Sequence, residues 1–240
     1  MAGPGEARPA RADVETPREP GSSGDGETAV RSVQLDEGSR TLTLQFSDGS
    51  RVEVAPDAPE ARGLAPGSVV DGPRFAALRA AAGRKAVARA LYGLLDRRAR
   101  CRADLRRRLL QSGHEAPLVD QVLDDATEQG LVDDRAYARA WAHDQLLRKA
   151  VGRRWLLAKL RTQGISERDA RAGVGEVLEP RDELALAVRA LSGRRLDLED
   201  ERQRAKGLRF LLGRGFDQAT SLAALRELRR ATTEDESANL

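Results

Sequence analysis

The side chains with the most chemical potential in this chain are guanidiniums. From Arg84 to Arg108 the basic residues Arg84, Lys85, Arg89, Arg97, Arg98, Arg100, Arg102, Arg106, Arg107 and Arg108 face only two acids, Asp96 and Asp104. A guanidinium fork pairs with phosphate or carboxylate through two parallel hydrogen bonds, so a run of this kind suits grip on a polyanion, not turnover of a substrate. With Leu105 facing inward on a helix, the angular step of about 100° places Arg107 opposite and Arg106 and Arg108 on the flanks. Two later segments repeat the pattern, with Arg148, Lys149, Arg153, Arg154, Lys159 and Arg161 in one and Arg202, Arg204, Lys206, Arg209 and Arg214 in the other. Recurrence of the basic helix, more than any single arginine, points to a continuous binding track through Arg98, Arg102, Arg106, Arg107, Arg108 and the later cations. Replacing Arg106, Arg107 and Arg108 together is expected to weaken that binding. The charge reverses just downstream, at Glu115, Asp120, Asp124, Asp125, Glu128, Asp133 and Asp134, so the same surface could instead be laced by ion pairs.

Other reactive residue types fall short of a catalytic constellation. Cys101 is the only cysteine and has no histidine near it in sequence, so it reads as a small buried residue. His114 and His143 are the only histidines and do not stand at metal-ligand spacing, so no metal site is expected. His114 reads as a packed ring and His143 as a surface one. There is no G-x-x-x-x-G-K-[ST], and Gly173-Val174-Gly175 sits inside a helical segment, not after a strand, so no nucleotide cofactor is expected. Trp141 shares a face with Tyr137 and reads as core. Trp155, between Arg154 and Leu156 near a helix start, could be buried or could stack on a partner.

The elements that would carry the track repeat. Gly113, Gly164 and Gly215 stand 51 residues apart, each closing a basic segment: ADLRRRLLQSGH, RWLLAKLRTQGI and AKGLRFLLGRGF. Leu109, Leu160 and Leu211 fall in register, and His114, Ile165 and Phe216 follow the glycines. This period predicts three tandem three-helix units, over 84–132, 133–180 and 181–231, forming an elongated curved array, with the glycines as left-handed C-caps. The inward stripes are Val87, Leu91, Leu94 and Leu95, then Cys101, Leu105 and Leu109, then Leu118, Val119, Val122, Leu123 and Ala126 in the first unit. The second offers Tyr137, Trp141 and Leu147, then Leu156 and Leu160, then Ala170, Val174, Val177 and Leu178. The third offers Leu184, Val188 and Leu191, then Leu208, Leu211 and Leu212, then Leu222, Leu225 and Leu228. Asp133 or Asp134 is expected to cap the fourth helix and Ser166 the sixth.

Upstream the period changes. Val33, Leu35, Leu42, Leu44, Phe46, Val52 and Val54 alternate with polar residues around Asp36-Glu37-Gly38 and Ser47-Asp48-Gly49, which predicts a three-stranded β-meander within 29–83, covered by a helix from Pro73 to Ala82. Residues 1–28, made of Pro, Gly, Ser and charge, are expected to be disordered, and the acidic tail from Thr232 to be frayed. Of the 240 residues 40% are hydrophobic but only 3% aromatic, which favours a mainly α fold with Leu-, Val- and Ala-rich cores. The 41 basic and 38 acidic residues leave a net charge of +3. With one cysteine, no signal-peptide core and no membrane-length apolar run, the expectation is a monomeric cytoplasmic protein that spans no membrane.

The stretch Gly130-Leu131-Val132-Asp133-Asp134, then Tyr137-Ala138 and Trp141, then Gly152, Arg154, Leu156, Leu160 and Gly164-Ile165 resembles the central signature of the RecX family of bacterial recombination regulators. The likeness extends from about Ala86 to Leu228. It departs from the family pattern at Gln145 and Leu157, where many relatives carry Arg, at His114, where an aromatic or aliphatic residue is usual, and at Ser221, where a larger apolar one is. The resemblance implies tandem three-helix units without enzymatic activity of their own. It also implies binding in the groove of the filament that RecA recombinase forms on single-stranded DNA, where ATP hydrolysis, strand exchange and filament growth are restrained.

Overall fold

The computed structural model describes residues 27–194 and 196–238; the segment expected to be disordered lies, up to residue 26, outside them. The chain is mainly helical, with a small strand module ahead of three three-helix units. Strands β1 (Thr28–Asp36), β2 (Thr41–Phe46), β3 (Arg51–Val54) and β4 (Val69–Val70) form one antiparallel sheet in the order β3-β2-β1-β4. The fourth strand is an addition to the expected meander. It pairs only with Thr28 and Ala29, too short a ladder for alternation to reveal. A register shift between Val30 and Ser32 reverses the alternation of β1, so Val30 and Val33 both reach the core. Leu35, expected inward, shares the side of Val33 but lies at the end of the strand and stays 55% exposed.

Helix α1 (Gly72–Leu95) covers the sheet and also opens the first unit. Two helices parted near Gly83 are expected from the sequence, yet the helix runs through without a break. A glycine inside a helix costs about 1 kcal/mol, and here it has a packing reason: a Cβ on Gly83 would lie 2.6 Å from Leu118 Cδ1. Asp71 caps α1 through the Arg74 amide, and Phe75 meets Phe46 edge to face at 4.9 Å. Lys85, about three turns beyond, donates to Arg40 O, Thr41 Oγ1 and Val54 O, so one ammonium ties two strand ends to α1.

The remaining helices are α2 (Arg102–Gln111) and α3 (Ala116–Glu128) in unit 1, and α4 (Asp134–Arg148), α5 (Arg153–Thr162) and α6 (Glu167–Gly175) in unit 2. Unit 3 holds α7 (Pro180–Ser192), α8 (Glu201–Gly213) and α9 (Gln218–Ala238). In each unit the first and third helices pair and the second packs across them. Asp133 caps α4 by accepting from Ala136 N at 2.9 Å, and Ser166 caps α6 by accepting from Asp169 N at 3.1 Å. Without a Gly or Pro after Gln218, α9 continues to Ala238, where fraying from Thr232 was expected.

Each unit has its own core. Leu105, Leu109 and Leu123 centre the first, Leu156, Leu160 and Val174 the second, and Leu191, Leu211 and Phe216 the third, so the units form an array and not one shared globule. Three leucines expected inward are exposed instead: Leu147 (72%), Leu212 and Leu222. Leu147 lies nine residues after the buried Ala138, about 180° around the helix, which is the opposite side.

Candidate nucleic-acid interface

The three basic segments occupy α2, α5 and α8, and their ends meet. After each helix comes a glycine with φ between 83° and 86°, and the residue beyond it donates back five positions: His114 N to Leu109 O, Ile165 N to Leu160 O and Phe216 N to Leu211 O. Paired with the glycine's own bond to the carbonyl three residues earlier, this is a Schellman turn, in which the flanking apolar side chains touch and the last carbonyls are satisfied.

These turns are also the joints of the array. Past the end of α8, Arg214 O and Gly215 O accept from Gly152 N at 3.0 Å and Arg154 N at 3.1 Å, the first amides of α5. A Cβ on Gly215 would lie 2.3 Å from Trp155 N, and one on Gly152 2.4 Å from Gly215 O, so two backbones are in direct contact. The turn after α5 likewise abuts the start of α2: the Cys101 thiol faces Gln163 O at 3.5 Å, and a Cβ on Gly164 would lie 2.5 Å from Ala103 Cβ. The negative end of one helix therefore meets the positive end of the next. Helices α8, α5 and α2 form a single end-to-end row, with a contour of roughly 50 Å at 1.5 Å per residue. Gly113 closes the far end and has nothing within 4 Å of a Cβ, which is why His114, expected to pack, is only half-buried while Ile165 and Phe216 are enclosed.

A carboxylate braces each joint, from a residue whose role the sequence reading missed. Asp134 at the start of α4 accepts from Arg102 N at 2.7 Å, and Glu183 on α7, only 6% exposed, accepts from Arg153 N at 2.7 Å. In both cases an acid on the first helix of one unit caps the second helix of the unit before. Burial, with Asp169 and Asp133 nearby, pushes the Asp134 carboxyl above its ordinary range against the pull of the Arg102 amide.

The candidate cations divide into two groups. In unit 1 most are occupied. Arg106 forms a two-bond fork with Asp120 at 2.6 and 3.0 Å, and Arg102 reaches Asp124 at 2.9 Å. Arg100, Arg107 and Arg108 converge on Asp104. Burial raises the Asp104 carboxyl, but hydrogen bonds from Arg108 and Arg100 and the nearby charge of Arg107 outweigh it and hold the group below its usual range. The Arg106 hydrogen bond lowers Asp120 in the same way. Arg98 is exposed and forms no ion pair among the described residues.

Farther along the row the charge is bare. Arg148, Lys149, Arg154, Lys159 and Arg161 are exposed and have no carboxylate within ion-pair distance among the described residues, as do Lys206 and Arg209 on α8. Arg153, Arg204 and Arg214 serve the fold: they donate to Leu178 O, to Leu198 O and Glu199 O, and to Ala150 O respectively. Trp141 and Trp155 stack with centroids 6.1 Å apart and planes 13° apart, while Lys149 and Lys159 stand 5.4 and 5.9 Å from the Trp155 centroid.

Cys101 is enclosed and its thiol is pushed up by burial, the opposite of an activated nucleophile. His143 is exposed. No cluster of three or more His, Cys, Asp or Glu among the described residues is placed to hold a metal, and no described helix is long and apolar enough to cross a membrane.

Fold and row together define a helical-repeat protein that sets three basic helices in line. Residues 133–173 match the family model described as RecX, second three-helix domain. A regulatory protein RecX from Mycobacterium sp. (strain JLS) is 35% identical over 138 residues, covering 54% of this chain and 74% of that one. Its counterpart in Corynebacterium efficiens is 32% identical over 150 residues, covering 59% and 71%. A crystal structure of regulatory protein RecX superposes with a TM-score of 0.65 at 18% identity, covering 80% of this chain and 96% of that one. The chain belongs to the RecX family of regulatory proteins.

Proposed function

We propose that the protein is a monomeric cytoplasmic regulator without catalysis of its own, which binds RecA recombinase filaments on single-stranded DNA and restrains ATP hydrolysis, strand exchange and filament growth. The observation that carries this reading is the end-to-end row of α2, α5 and α8, which turns three short helices into an extended edge with unpaired cations on its second and third members. Separate cores joined by narrow contacts suit an array that follows a long groove and bridges neighbouring protomers. Positive side chains along it would meet phosphates, so binding should fall with salt. Inhibition by occupancy follows: a protein seated across several protomers hinders interconversion of filament states because it binds one state better than the other.

Co-sedimentation with ATP-bound recombinase filaments, paired with their ATPase rate, tests the proposal. The protein should pellet with filaments and lower the rate. Absence from the pellet with an unchanged rate overturns it, and equal affinity for naked DNA and filaments would instead favour an independent nucleic-acid-binding protein.

A further inference from the structure

We propose that Trp155 is a stacking platform for one unpaired base of single-stranded DNA, with Lys149 and Lys159 taking the adjoining phosphates. This deepens the reading of unit 2 as a nucleic-acid contact and rests on it. The indole is half-buried at the start of α5 and stacked on the near-parallel ring of Trp141, while Gly215 packs against the main chain and Cβ of Trp155, so the side chain is anchored at its root and along one ring before any ligand arrives. Two ammonium groups stand over the same ring, from the end of α4 and from one turn along α5, and neither has a carboxylate partner among the described residues. Arg154 and Arg161 add exposed charge on the same helix.

A rigid aromatic ring ringed by bare cations is the arrangement that takes a base on its face and phosphates at its edges, and it tolerates any base because every base has a π-face. A protein partner anchored by the same indole would bring apolar or acidic groups, and would not require bases. The lysines lie over the ring by cation–π attraction, which is weak at exposed sites, so they exchange the ring for phosphates as a strand docks.

The test uses the full chain carrying Trp141→Phe, which leaves Trp155 as the only indole. Its fluorescence is titrated with oligothymidylate and with an abasic oligonucleotide of equal length. Oligothymidylate should quench the emission and the abasic strand should not. Trp155→Ala should weaken oligothymidylate binding roughly tenfold or more while leaving abasic binding unchanged, and Trp155→Phe should retain most of it. Equal affinity for both strands without quenching overturns the proposal. So does loss of filament pelleting by Trp155→Ala with oligothymidylate affinity intact, which makes the ring a protein anchor and leaves the proposed function standing. Quenching by oligothymidylate from a protein that does not pellet with filaments supports the platform and rejects the recombinase reading. Unchanged thermal melting of Trp155→Phe guards against a folding defect.

Discussion

Unit 1 has the denser arginine run and unit 2 the freer one. In unit 1, Arg100, Arg102, Arg106, Arg107 and Arg108 all end on Asp104, Asp120 or Asp124, whereas in unit 2 Arg148, Lys149, Arg154, Lys159 and Arg161 form no ion pair among the described residues, although the charge of Arg154 is felt by Asp217. The difference teaches that positive charge counted along a chain measures supply, and only the unpaired remainder is available to an outside anion. An arginine already forked to a carboxylate has to give up that bond before it can reach a phosphate.

The joints sharpen the same comparison from the side of stability. Gly152→Ala forces a Cβ within 2.4 Å of backbone atoms at the joint of units 2 and 3, and overpacking of that kind should cost about 3 kcal/mol, seen as a lower melting temperature. Gly113→Ala, at the free end of the row, meets open space and should cost only about 1 kcal/mol for its left-handed backbone. Equal losses for the two would mean that the joint is not a tight contact.

For binding, replacing Arg154, Lys159 and Arg161 together by Ala should weaken filament association roughly 100-fold near physiological salt and flatten its dependence on salt concentration, since three exposed cations outside any ion pair are removed. Both quantities come from anisotropy titrations at several salt concentrations. A change below about threefold would show that bare charge is not what the partner reads.

Asp104 links the two aspects of unit 1. Its carboxyl is held below the ordinary range in the folded chain, so the stability it contributes is complete above the ordinary carboxylate value and is lost as pH falls through the lowered one. Asp104→Asn should therefore cost about 1–2 kcal/mol at neutral pH, because Arg100 is only 9% exposed and loses its partner. It should also flatten the acid limb of melting temperature against pH. The smallest effect is expected from Arg106, Arg107 and Arg108 replaced together: filament affinity within about twofold of the parent. A loss as large as that of the unit 2 triple would show that the ion pairs open on binding and that the whole row is engaged.

The periodic features were legible in the sequence because each rests on local chemistry. The 51-residue spacing of Gly113, Gly164 and Gly215 located the Schellman turns, and Leu109, Leu160 and Leu211 marked the carbonyls they satisfy. What stayed hidden depends on helices packed from elsewhere. The Arg106–Asp120 fork joins different helices, and although the acidic run after α2 allowed ion pairing within the unit, nothing in either segment says which arginine meets which carboxylate. Asp134 was expected only as a possible cap for its own helix, a role Asp133 fills, which frees Asp134 to cap α2. A signal did exist: Asp134 and Glu183 follow Arg102 and Arg153 at the nearly equal separations of 32 and 30 residues. Continuity of α1 through Gly83 was illegible for the converse reason, since the residue that breaks helices in isolation is here the one small enough for Leu118.

The contact of Gly152 with Gly215 also limits how the protein could be lengthened. One joint matches glycine to glycine and the backbone of Trp155, the other matches Gly164 to Ala103, so the two interfaces have different keys. A duplicated first unit grafted after unit 2 would offer Gly113 where Gly215 fits, but with His114 in place of the enclosed Phe216 and without Glu183 to brace the helix start. Growth by simple copying would thus leave a misfitting seam, and a longer array would need its neighbours redesigned in pairs.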